Sequence, residues 1–436
     1  MSALRWIMLL VVLLISVPTV GQSDTVACEV LQGARVHLPE GPADGALVVL
    51  VGDRIADAGL RIAGLTELDD GRISYKGRLC TLSDVGGKVV TAGLIDPSTA
   101  LGLVEVSLEA RTRDTEWEGA DPVRASLRVS DAYNPRSTLI PIARLQGVTS
   151  AVVVPSGGLV AGQGGWVDLA GGTQAESVIA PSVAVYANLR ATSSRAASLR
   201  LLAEALDDAR FYGRNRRAHE QNRLARDFSA ALPDLLALGA VVDGSVPLVV
   251  PADRASDIEA LLRFAESQGI RLVVSGGAEA WLLRDQLAAA GVPVIVDPMV
   301  YGPGSFDQVE GRPDNAALLD AAGVPVLLST WSSHFTRTLR QRAGNAVRGG
   351  LGHSAALRAI TETPARVFGQ ADRGRIAPGA RANLVVWTGD PLEISTSVER
   401  LVIGGNDVSL VSRQTELRDR YRDQPGIPLP PLPLPE

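Results

Sequence analysis

Histidine is scarce in this chain. Four occur among 436 residues, His37, His219, His334 and His353, and no two stand at the spacing of a metal-binding pair. A site built from several imidazoles therefore cannot be read from any local motif. Cysteine is rarer still: Cys28 and Cys80 are the only two, which excludes a four-cysteine zinc site and allows at most one disulfide. Aromatic residues make up 4% of the chain, and the net charge of −6 carries no basic block. This leaves neither the electrostatic footprint nor the stacking platform of a nucleic-acid binder, so no nucleic-acid partner is expected. No Gly-rich dinucleotide fingerprint opens a helix, and no G-x-S-x-G elbow occurs. Ser156, Ser275 and Ser329 have no His/Asp partners that spacing identifies.

Long apolar runs are missing too, except at the start. Arg5, an apolar stretch over residues 7–17, and small residues at Thr19 to Gly21 read as an export signal over residues 1–21. The stretch is shorter than the ~20 residues a membrane span needs. The expectation is a periplasmic or secreted protein with no stable membrane insertion after cleavage. An oxidising compartment allows Cys28 and Cys80 to pair; two buried thiols are the other reading.

What is present has two rhythms. Residues 24–91 are short β-type runs separated by Gly-Asp and Gly-Arg turns, and a matching block returns over residues 373–415. The two ends should build one small β-sandwich domain. Between them, residues 92–372 alternate apolar strands with amphipathic helices, including strands expected at 147–154, 246–250, 272–275, 293–297 and 325–329. Helices are expected at 255–268, at 280–290 and within the Arg-rich stretch 193–226. Repeated units without a dinucleotide fingerprint predict an α/β fold of the (β/α)8 TIM-barrel type. Residues 425–436 alternate proline with leucine and predict an extended tail.

Three segments carry a resemblance. GKVVTAGLID at 87–96 resembles the entry into the first barrel strand of the amidohydrolase superfamily. ALRAITETPARVFG at 356–369 and GRIAPGARANLVVWTGDPLE at 374–393 resemble that family's closing helix and return to the β-domain. AGQGGWVDL at 161–169 is similar to a loop and strand of the imidazolonepropionase-like branch.

The resemblance implies a metal-dependent hydrolase of carbon–nitrogen bonds. Its metal would sit at the C-terminal mouth of the barrel, where it lowers the pKa of a bound water. The implied ligands are a His-x-His pair on the first strand, histidines on the fifth and sixth, and an aspartate after the eighth. In this chain those positions hold Ser98 and Ala100, Pro251, Ser275 (or Gly276), and Trp331. The expectation is a degenerate member: a binding or partner subunit for an active paralogue, or a homo-oligomer, without a cofactor. The alternative is an active hydrolase with one weakly bound divalent metal on Glu279, Asp297 and His334. Gln163, Glu279, Asp297 and His334 are also the candidates for holding a small ligand at the barrel mouth.

Overall fold

A computed structural model describes residues 27–422, apart from residues 70, 118, 222, 224 and 225. The expected signal segment and the Pro-rich tail lie outside the described residues. Eight strands form one sheet in chain order: Leu94–Thr99, Val148–Val153, Val160–Asp168, Val178–Ala187, Leu248–Ala252, Leu272–Gly276, Val294–Val296 and Val326–Leu328. Their inward side chains, one from each strand, are Ile95, Val152, Trp166, Ala184, Val249, Val273, Ile295 and Leu327, and they pack on one another. The barrel interior is therefore a filled core. The last four strands are near-continuous apolar runs because helices cover their outer faces.

One feature departs from the all-parallel barrel that the sequence suggests. The third strand, Val160–Asp168, runs antiparallel to both neighbours. The physical cause lies in the link from the second strand, which is too short for a crossover helix. Gly157 and Gly158 both take positive φ there, at +83° and +67°, so the chain reverses as a hairpin. The eight strands still make a barrel that closes between first and eighth.

The helices follow their local chemistry. Arg195–Glu220 starts where Ser194 accepts a hydrogen bond from the Ala197 amide, and it buries Leu202, Ala205, Leu206, Ala209 and Tyr212 along one stripe. Asp208 of the same helix is buried, and its carboxylate accepts from Ser229 N and Oγ at 2.8 Å each. Ala255–Gln268 buries Ile258, Leu261, Phe264 and Ala265 and ends on Gly269 at φ +60°. The expected helix over 280–290 is instead a 3-10 turn, Ala280–Leu283, followed by Arg284–Ala289. No helix of the described residues is long and apolar enough to cross a membrane.

Two six-stranded sheets make the sandwich. One comes wholly from residues before the barrel; in the other, Leu384–Trp387 pairs antiparallel with Val89–Ala92, so both ends of the chain share a sheet. Leu31, Val48, Ile55, Val90, Leu384, Val386 and Val402 form its core. Cys28 and Cys80 are joined by a disulfide, with Cα atoms 4.5 Å apart. The Arg400 guanidinium ties this domain further by binding Glu29 and Asp407.

Trp387 joins sandwich to barrel. Its indole is fully buried and donates to Thr91 Oγ1 at 2.9 Å. It leaves no room beside Gly147, just before the second barrel strand, where a Cβ would lie 2.3 Å from the ring and where φ is +81°. Gly147→Ala is expected to lower unfolding free energy by about 2–4 kcal/mol, from overpacking plus left-handed strain. Urea denaturation checks this, and an unchanged midpoint would contradict the contact.

Candidate functional site

The first and eighth strands meet without a regular ladder. Their junction is held by side chains instead. The Asp96 carboxylate is fully buried and accepts from Ser329 Oγ at 2.6 Å and from Thr330 Oγ1 at 2.5 Å. The Ser98 carbonyl accepts from the Trp331 amide at 3.0 Å and shares the single Ser329 Oγ proton with Asp96, at 2.7 Å from that oxygen. Thr99 and Thr336 hydroxyls share a hydrogen bond of 2.8 Å just beyond.

Among the described residues no cation faces Asp96, and burial pushes its carboxyl up to about 6, against the opposing pull of the two hydroxyls and the Ser98 and Thr330 amides. Its proton is thus held more tightly in the folded chain than in the unfolded one. Stability contributed by this group is full below the unfolded value, near 4, and is lost as pH rises through about 6.

Trp331 crosses the mouth of the barrel. It has φ +50°, a conformation that costs a bulky residue about 1–3 kcal/mol. Two bonds hold it there: its amide donates to Ser98 O, and its indole Nε1 donates to Ser275 Oγ at 3.0 Å. The ring also packs on the interior layer. Ser275 is buried and pairs in register with Pro251 on the fifth strand. In the interior cluster, the Tyr186 hydroxyl is buried without a partner among the described residues, and burial raises its phenol well above the usual range.

The positions that the family pattern would give to metal ligands thus converge on one seam and one mouth, but with poor donors. Ser98 spends its carbonyl on strand closure, Ala100 has no side-chain lone pair, Pro251 offers none, and the Ser275 hydroxyl holds an indole. This set does not fit a catalytic divalent ion, which needs imidazole or carboxylate donors. Among the described residues, no three His, Cys, Asp or Glu side chains are grouped so as to hold one.

The other candidates do not come together at the mouth. Glu279 is buried, and its two oxygens accept from the amides of Ala255, at 2.9 Å, and Glu310, at 3.1 Å. It anchors the start of a helix and a loop. Asp297 accepts from the Met299 amide at 2.9 Å and binds the Arg342 guanidinium. Gln163 donates to Ala125 O at 2.8 Å, along a segment that runs beside the third strand. His334 is exposed and lines a cleft with the C-terminal helix Arg413–Arg422.

One buried network had no signal in the sequence. Asp168 accepts from Ser150 Oγ at 2.7 Å, Trp166 Nε1 at 3.2 Å and Arg373 Nη2 at 3.1 Å. Partners 205 residues apart carry no local pattern.

An eight-stranded barrel joined to a sandwich made from both chain ends is the architecture that this chain shares with a solved amidohydrolase structure. The Amidohydrolase family model matches residues 283–408. An amidohydrolase from Thermotoga maritima MSB8 has the same fold, with a TM-score of 0.76 at 24% identity over 87% of this chain and 99% of that one. Molinate hydrolase superposes with a TM-score of 0.54 at 17% identity over 88% and 95%. Imidazolonepropionase of Paracoccus denitrificans is 35% identical over 109 residues, which is 24% of this chain and 26% of that protein. This aligned stretch thus spans about a quarter of the relative's length. The chain thus resembles amidohydrolases in its C-terminal sequence and shares their fold.

Asp96→Asn removes the titrating group while keeping the shape. The stability of the variant relative to the parent is expected to rise by about 2–3 kcal/mol between pH 4 and pH 7. Denaturant titrations across that range measure it, and a constant difference would show that Asp96 does not carry this dependence.

Proposed function

We propose that this protein is an exported amidohydrolase-like chain that binds or supports rather than hydrolyses, working beside a related subunit that has kept its metal. The observation that carries this reading is the Trp331 indole bonded to Ser275 across the barrel mouth. An activated water needs an ion with open coordination at that place. Here an apolar ring fills it, and the surrounding donors are hydroxyls already in use.

Retention of the fold supports a use for the body of the protein. The seam, the packed interior and the shared sheet all demand specific residues, among them Asp96, Ser329, Trp166 and Trp387. A chain under no demand would not keep them together at no gain. Export is supported by the Arg5-led apolar start and by the Cys28–Cys80 disulfide, which suits an oxidising compartment. Surfaces of the barrel loops offer apolar side chains to a partner, such as Leu108 and Phe306, which are almost fully exposed.

Metal analysis of the purified chain tests the central part of this reading, together with an amide-hydrolysis assay. Less than about 0.1 zinc, iron or manganese per chain and no turnover are expected. Stoichiometric metal with hydrolysis of an amide or cyclic amide would establish the opposite, an enzyme with an unfamiliar ligand set.

A further inference from the structure

A cleft away from the barrel axis has the composition of a ligand site. The helix Arg413–Arg422 lies against the loop leaving the eighth strand and against the short helix Leu139–Arg144. They enclose about 300 Å3, at the small end of the range for ligand sites. His334, Arg337 and Arg413 supply its nitrogen donors, and Leu139, Ile142 and Leu417 supply its apolar surface.

The charge there is one-sided. Among the described residues, no carboxylate lines the cleft. Glu105 approaches only its edge, where it accepts from Thr138 Oγ1 at 3.3 Å. None of His334, Arg337 and Arg413 has a side-chain partner among the described residues. Other exposed arginines, such as Arg61 and Arg375, also stand without a carboxylate among the described residues, whereas several less exposed ones are matched: Arg342 holds Asp297, Arg373 holds Asp168, and Arg400 holds Glu29. What sets Arg337 and Arg413 apart is that they line one cleft. Two guanidinium groups lining one cleft without a counter-ion among the described residues raise the local positive potential. An anion lowers that potential, and the planar guanidinium fork fits a carboxylate with two parallel bonds.

The apolar residues narrow the class further. A bare inorganic anion leaves Leu139, Ile142 and Leu417 facing water. A ligand with an aliphatic body covers them. We propose that this cleft binds a small amphipathic carboxylate, its head on Arg337, Arg413 and His334 and its chain on the three aliphatic side chains. At about 30 Å3 for each heavy atom, the space admits a ligand of about ten heavy atoms, the size of octanoate. The site does not depend on whether the barrel mouth holds an ion.

Calorimetric titration of the full chain with octanoate tests the proposal, with acetate and the matched alcohol as head-only and tail-only probes. Octanoate is expected to saturate with a Kd at or below about 1 mM, and both comparison probes at least tenfold more weakly. Because the chain has four histidines, the His334 ring proton is resolvable by NMR through its loss in His334→Gln, and it is expected to shift on saturation. Arg337→Gln and Arg413→Gln, both exposed positions, should each weaken octanoate by about tenfold or more with an unchanged melting midpoint. Failure to saturate below about 10 mM, equal binding of the alcohol, or arginine variants with parental affinity would overturn it.

Discussion

The seam between the first and eighth barrel strands is the constraint on which the rest of the structure depends. A closed sheet needs its last edge satisfied, and here the backbone ladder does not do it. Instead the Asp96 carboxylate and the Ser98 carbonyl gather two hydroxyls and an amide from Ser329, Thr330 and Trp331. Closure by side chains demands particular residues at particular places. It also fixes the backbone of Trp331 in its left-handed conformation and thereby aims the indole across the mouth at Ser275. Closing the barrel and filling its mouth are thus one event.

The same seam has an electrostatic cost. A carboxyl is taken wholly out of water with hydroxyls and amides as its only partners, and burial outweighs their help. By contrast, the buried Asp168 faces Arg373, which itself also binds Asp372. The first carboxyl makes the fold sensitive to pH, while the second joins the barrel to the closing segment of the chain. Both lie in places where a hydrophobic residue would fill the space but lose the connection.

Much of the architecture is legible in the sequence for plain physical reasons. Runs such as Leu248 to Val250 and Leu272 to Val274 are buried on both faces, so they read as parallel strands without alternation. The stripe Ile258, Leu261, Ala265 with Gly269 after it reads as a helix with its end. The reversed third strand was also written there, in the Gly157-Gly158 pair so soon after an apolar run, a hairpin signal that the barrel pattern overshadowed. The candidate site was less legible. Glu279 and Asp297 sit after strands, as a catalytic group would, yet each serves nearby amides or an arginine, and only the folded loops reveal that. Asp168 meets Arg373, and His334 and Arg413 come to line one cleft, across long stretches of chain that leave no periodic trace.

Crystals grown and soaked in excess zinc, with anomalous diffraction recorded at the zinc edge, test the mouth most directly. The expected map has no anomalous peak among Ser98, Pro251, Ser275 and Trp331, with the indole still bonded to the Ser275 hydroxyl. A strong peak at the C-terminal ends of the strands, with Trp331 swung away to admit the ion, would contradict the account.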